Sequence, residues 1–300
     1  MSIKKYNTFL KVVETGSITK AATALGHTQS GVTQLLSSLE QELGVTLLIR
    51  SRSGITLTDE GNTLLPYIKE VISCNDALLR TASGLSSGHE QVIRIGAFTS
   101  VAVNWLPTII KEYGQKAPDV RFELIDCGYS EIAGKLQTNK MDLGFVPISA
   151  SEDLKSIPLY EDKLFAILPS DHIFLKEHNE VPLSSLQFPV AQFAKEPVIS
   201  LIPEIDLDAR TVFRKAGIVP NTKYTVEDDY AMLALAKKGL GICIVPQLML
   251  LDSDPTGIVA LELDPPASRT IGLAFPNGKT PSTVAQDFAS FIQEWVRNKK

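Results

Sequence analysis

Apolar residues fall at helical spacing from the start of the chain: Ile3, Tyr6, Phe9, Leu10 and Val13 share one stripe, which predicts a helix over residues 3–14. Gly16 closes that helix, and the Ser17 hydroxyl can cap a short one over 18–25. A turn at Gly26-His27 follows, then Thr28 as the next cap and a helix to about Leu43, stopped by Gly44. Two helices joined by a tight glycine turn form a helix-turn-helix. Small Ala22 lies where the helices touch, with Val32, Leu35, Leu36 and Leu39 expected to face inward. That leaves Thr28, Gln29, Ser30, Thr33 and Gln34, short hydrogen-bonding side chains, at the start and outer face of the second helix. In such a unit these first turns enter the major groove, where Gln pairs bidentately with adenine and Ser or Thr meets base edges and phosphates.

Residues 45–58, "VTLLIRSRSGITLT", alternate as a short hairpin with "SRSG" at its tip. Arg50 and Arg52 sit at or beside that tip, which makes it a basic wing reaching for the phosphate backbone or minor groove. Thr58 and Glu60 then open a helix expected to end near residue 83. Leu64, Ile68, Val71, Asn75 and Leu78 form a heptad seam, with Leu65, Ile72 and Leu79 beside it. Two stripes on so long a helix need more cover than a three-helix head offers, which implies dimerisation. Asn75 either sets register there or packs against the rest of the chain. "SGLSSGHEQ", 83–91, reads as a linker. It matches Gly-x-Ser-x-Gly formally, but that motif needs a strand before the serine and a helix after it, so a hydrolase reading is rejected.

From residue 92 onward short apolar strands alternate with helices. Strands are expected at 92–98, 120–127, 141–148, 163–170, 196–201, 223–226, 241–246 and 270–276. Helices are expected at 102–116, 130–139, 206–216, 227–238 and 281–297. This alternation predicts parallel, doubly wound sheets, whose ligands sit beyond the carboxyl ends of the strands. The positions that rule selects are Thr99, Ser100, Ser130, Pro147, Ser200 and Val226. Hydroxyls and helix N-termini there suit a small anion, a carboxylate or an inorganic oxyanion, although no basic residue is assigned to the cleft.

Charge sharpens this division. The chain of 300 residues carries a net charge of −5, yet residues 1–57 sum to +3 and the remainder to −8. A basic head on an acidic body fits a protein that meets phosphate only through its head. No apolar core of signal-peptide length follows the start, and the apolar run 239–251 is too short to span a bilayer, so a cytoplasmic chain without membrane contact is expected. Cys74, Cys127 and Cys243 are widely spaced and read as reduced thiols, with no metal site and no cofactor implied. There is no phosphate loop, metal cluster or credible catalytic triad, and the four histidines are scattered, so no catalytic residue is assigned and an enzyme is not expected.

The phrases "ETGS", "AA..L..TQS.V...L..LE.ELG" and "R....LT..G" stand in the order and spacing of the N-terminal domain of LysR-type transcriptional regulators, which this chain resembles. "IRIGAF", "PDVRFEL", "DLGF" and "KKGLGICIVP" resemble phrases of the same family's ligand domain. The resemblance implies an α+β multidomain chain: a winged helix-turn-helix over 1–58, a linker helix and hinge over 59–91, and a two-lobed α/β effector domain like a periplasmic binding protein over 92–300. Lobe I would take about 92–162 and 267–300, and lobe II about 163–266. It further implies a homodimer through the 59–83 helix, often a homotetramer, that bends double-stranded promoter DNA in response to a small-molecule effector and leaves room for contact with RNA polymerase. Many members carry a basic residue where this chain has Gln34, which moves phosphate binding onto the wing and onto lysines such as Lys4 and Lys20. The other readings are a solute-binding protein, or a redox-sensing regulator acting through Cys127 or Cys243.

Overall fold

The first three helices form as the pattern predicts: α1 (Ile3–Thr15), α2 (Ile18–Leu25) and α3 (Gln29–Leu43). The fold is that of a computed structural model, which describes every residue except 1, 52–53, 88–90, 152, 204, 252–253, 278–280 and 300. The chain divides into two compact units, residues 1–89 and 90–300.

In the first unit, Ser17 accepts from the Lys20 backbone N–H and Thr28 from that of Gly31, so both predicted caps form. Gly26 ends α2 at φ +65°, a left-handed conformation that glycine adopts without a Cβ penalty. Phe9, Val12, Val32, Leu36, Leu39 and Leu47 build the core of the unit. Leu35 departs from expectation: it is half-buried and lies outside that core, because the inward stripe of α3 runs through 32, 36 and 39 and residue 35 falls on its flank. The wing is an antiparallel pair, β1 (Leu48–Ser51) with β2 (Gly54–Leu57). The Glu40 carboxylate on α3 accepts from the N–H groups of Leu47 (2.8 Å) and Leu48 (3.3 Å), fastening the wing to the helix beside it.

Helix α4 (Asp59–Ser87) runs further than predicted and takes in the first half of the expected linker, including the first four residues of the Gly-x-Ser-x-Gly match; Gly88 lies outside the described residues. A lone Gly84 costs about 1 kcal/mol against Ala but does not stop a helix in the absence of a proline. Ile68 is buried in the core of the head, with Leu64, Leu65 and Ile72 packed against it. Of the predicted seam, Val71 and Leu78 stay exposed, alongside Tyr67 and Leu79.

The second unit departs from an all-parallel arrangement. Its sheet runs β10-β6-β11-β5-β3-β4, where β3 is Gln91–Ala97, β4 Val120–Asp126, β5 Leu143–Pro147, β6 Lys155–Pro169, β10 Cys243–Pro246 and β11 Ile258–Phe275. Strand β3 pairs in parallel with β4 and β5, whereas β6 and β11 are antiparallel to each other and to their neighbours β10 and β5. Both long strands exceed their predicted spans. The polar stretch at 155–162 looks like a loop in sequence, yet pairing with β11 keeps it extended, as cross-strand context overrides local preference. The proline-bearing stretch at 264–266 is an irregularity in the ladder, where the register to β6 shifts between Glu262 and Ala267.

These two strands pass from one core to another. On one side, Leu273 and Ala274 join Ile93, Ile95, Trp105, Phe145, Phe288 and Trp295. On the other, Leu164, Ala166, Leu261 and Leu263 join Phe188, Phe193, Val212 and Phe213. The first side carries α5 (Thr99–Asn104), α6 (Leu106–Lys116), α7 (Tyr129–Gln137) and α11 (Thr283–Asn298). The predicted helix 102–116 is two helices, broken at Trp105: Pro107 lacks an N–H, and its ring would clash with the Val103 carbonyl in a continuous helix. The second side carries α8 (Ile173–Glu177), β7 (Gln187–Pro189) along β11, the parallel pair β8 (Val198–Leu201) and β9 (Thr222–Val226), α9 (Leu207–Ala216) and α10 (Asp229–Lys237).

Candidate functional site

Two surfaces carry groups that can meet a partner. On the head, Thr28, Gln29, Ser30 and Gln34 are exposed and Thr33 is half-buried, all on the first turns of α3. The Thr28 hydroxyl caps Gly31 and lies 3.2 Å from that of Ser30, so these two are held in place by the turn. Lys4 and Lys20 are exposed on α1 and α2, and Arg50 is exposed on β1 opposite Ile55. Arg52 lies outside the described residues.

In the second unit a cavity of about 370 Å³ opens between the two cores, within the range of small-molecule sites. Its wall gathers Phe98, Thr99 and Ser100 at the start of α5, and Asp126 to Tyr129 between β4 and α7. Facing them are Leu201, Ile202, Ile205, Asp206 and Asp208 ahead of and into α9, and Glu227 to Asp229 ahead of and into α10. Thr99 and Ser100 therefore line the cavity, as predicted, and the other four positions do not. Ser130 is exposed one residue beyond the lining Tyr129. Pro147 is buried and paired with Ile271, because the antiparallel β11 covers the end of β5. The Ser200 hydroxyl meets that of Thr222 at 3.3 Å, and the Val226 carbonyl accepts from Ile202. Beyond β8 and β9 the lining begins one residue later than either prediction.

The centre of the cavity wall is Arg269, which sequence reasoning missed. It stands on β11 directly opposite Asp162 on β6, where the two strands pass between the cores. Its Nε and Nη2 donate to Asp162 Oδ2 at 3.0 and 2.8 Å, and Nη2 also donates to Ser100 Oγ at 2.7 Å. Nη1 donates to Tyr129 Oη at 2.6 Å and to Asp208 Oδ2 at 2.9 Å. Tyr129 in turn donates to Asp208 at 2.9 Å, linking α7 to α9 across the cavity. Burial holds the Tyr129 hydroxyl well above its usual pKa, so it keeps the proton it donates. Burial works against the Arg269 charge, but Tyr129, Asp208 and Asp162 more than offset it and raise its pKa. The guanidinium also lies 4.7 Å from the Phe98 ring centroid.

Around this group the wall is acidic. Burial, reinforced by Asp208, raises Asp206 to about 7. Burial, partly offset by Arg269, raises Asp229 to about 6. Asp126 is also raised by burial, with Asp228 adding to it. The wall thus carries carboxylates where the sequence suggested a cleft suited to an anion. Burial, then Glu131, raises the Cys127 thiol, and complete burial raises Cys243.

A winged helix-turn-helix beside a cleft-bearing two-core body defines a ligand-responsive DNA-binding regulator. Residues 3–62 match the family described as "Bacterial regulatory helix-turn-helix protein, lysR family", and residues 86–297 match "LysR substrate binding domain". The uncharacterized HTH-type transcriptional regulator YvbU of Bacillus subtilis (strain 168) is 31% identical over 98% of both chains. A probable hydrogen peroxide-inducible genes activator of Mycobacterium leprae (strain TN) is 28% identical, covering 96% of this chain and 92% of that one. Full-length CbnR complexed with its target DNA has the same fold, with a TM-score of 0.62 at 20% identity over 100% of both chains. The chain belongs to the LysR family of transcriptional regulators: it binds promoter DNA through its head and a small-molecule effector through its body. Among the described residues no helix is long and apolar enough to cross a membrane.

Proposed function

We propose that this regulator acts in the cytoplasm, reading its operator through Gln29, Ser30, Thr33 and Gln34 on α3, while Lys4, Lys20, Arg50 and Arg52 hold the phosphate backbone. Two copies pair through the exposed face of α4 at Tyr67, Val71, Leu78 and Leu79, with Asn75 inside the seam. Ile68 is withdrawn from that seam because the head uses it for its own core. The effector binds in the body cavity between Thr99 and Ser100 on one side and α9 and α10 on the other.

The observation that carries this reading is the Arg269 cluster. One guanidinium and one hydroxyl join α5, α7 and α9 at the line where β6 and β11 cross between cores. A ligand beside that junction changes the balance between lobe arrangements according to its differential affinity for them, and promoter bending follows. The test is selection of bound duplexes from the organism's own fragmented genome by purified full-length protein at two salt concentrations. Recovery of a two-fold symmetric site next to a promoter is expected. Recovery of fragments with no common site would overturn the operator reading.

A further inference from the structure

The reading that the cavity holds the effector leaves the effector's chemistry open, and the wall answers it. Arg269 is the one cation lining the cavity among the described residues, and it has nothing to offer an anion. A guanidinium has five N–H donors. All five are matched inside the protein: Nε to Asp162, Nη1 to Tyr129 and Asp208, Nη2 to Ser100 and Asp162.

At the start of α10 Asp228 accepts from the Ala231 N–H at 2.8 Å, so that positive end already faces one of the chain's own carboxylates. Asp206, at the start of α9, is buried and makes no side-chain cap hydrogen bond. Of the acids in the wall, Asp208 has Arg269 as its counter-ion. Asp126, Asp206, Glu227, Asp228 and Asp229 form no ion pair among the described residues.

Of these, Asp206 is buried and Asp229 half-buried, whereas Asp126, Glu227 and Asp228 are exposed. A buried carboxylate without a counter-ion is costly, and a bound cation relieves that cost. No three of the described acids, histidines or cysteines are grouped as a metal ion requires, so the negative charge is spread around the wall. The same wall includes Ile205, Ile244 and Met249, apolar side chains suited to a hydrocarbon spacer. We propose that the cavity recognises an organic cation, an aliphatic amine with two or more ammonium groups, whose nitrogens pair with Asp206, Glu227 and Asp229 and whose chain lies on Ile205 and Met249.

The experiment is titration calorimetry of the full chain at pH 8 with 1,4-diaminobutane and spermidine, against succinate and magnesium chloride as opposed probes. Heat of binding is expected from the amines and none from succinate or magnesium. Asp206→Asn and Asp229→Asn should each weaken the amine about tenfold or more, the size of a charge-assisted hydrogen bond. Melting curves of both variants separate lost contacts from lost folding, and Glu227→Gln, at an exposed position, repeats the test where folding is not at stake. Succinate binding that Thr99→Val abolishes, with the amines silent, would leave the effector cleft standing and overturn the charge assignment. Amine binding unchanged in all three acid variants would put the ligand outside this cavity and overturn both. Binding of magnesium alone, or of no probe, overturns the amine.

Discussion

The head and the cavity solve opposite problems. On the head, the candidate DNA-reading groups come from a single stretch, residues 28–34, at the start of one helix, and all but half-buried Thr33 stay exposed. In the body, the cavity draws on segments around 98–100, 126–129, 201–209, 227–229 and 269, and its central charge is buried. The head keeps its charges solvated, so each acts nearly alone. Around the cavity Arg269, Asp162 and Asp206 are buried, so each depends on its neighbours. Substitutions should accordingly have small, separable effects on the head and large, coupled effects in the body.

The largest effect is expected at Arg269. Arg269→Ala removes the counter-ion of Asp162, which is 0% exposed, and breaking a buried pair from one side costs about 3–5 kcal/mol. Trp105 and Trp295 both lie in the core of the body, so tryptophan fluorescence during urea unfolding follows that unit and not the head. A midpoint unchanged by the substitution would show that the cluster is not a structural junction. Next is Asp206, whose unfolded form loses its proton near pH 4 while the folded form holds it to about 7. Over that window the native state binds more protons, so stability falls as pH rises. Asp206→Asn should abolish this slope: wild type and variant differ little below pH 4, and the variant is more stable at pH 8 by at most about 4 kcal/mol. Equal melting temperatures at pH 8 would show that Asp206 ionises without penalty.

The same contrast explains what the sequence made legible. Helices α1 to α3 and their caps were readable because spacing, Ser17, Thr28 and three glycines are local signals, and each formed where expected. Strand β6 was read at about half its length and β11 at about a third, because what extends them is each other, some hundred residues away. The rule that ligands gather beyond strand ends located Thr99 and Ser100. It stopped just short of the acids, although "VEDD" runs off the end of β9 and "IDLD" opens α9 a short way past β8. Arg269 carries the one signal that was available and unused, an arginine set against the apolar run "TIGLAF". Its partners Ser100, Tyr129, Asp162 and Asp208 cannot be assembled from spacing at all.

On the head the expected effects are smaller and differ in kind. Gln34→Ala should cost about 1–3 kcal/mol of specific operator binding, the worth of a bidentate base contact, and leave binding to random DNA unchanged. Competition titrations measure that ratio directly, and an unaltered ratio would remove Gln34 from base reading. Arg50 is the finest test, because it is exposed on β1 and the wing hangs from α3 through Glu40. An arginine that meets only phosphate adds one released counterion, so Arg50→Ala should weaken operator and random DNA alike and lower the salt slope by about one unit. Loss confined to the operator would instead make the wing a reader of sequence. The head would then couple its contacts as the cavity does, and the division between solvated, independent charges and buried, cooperative ones would not hold for this protein.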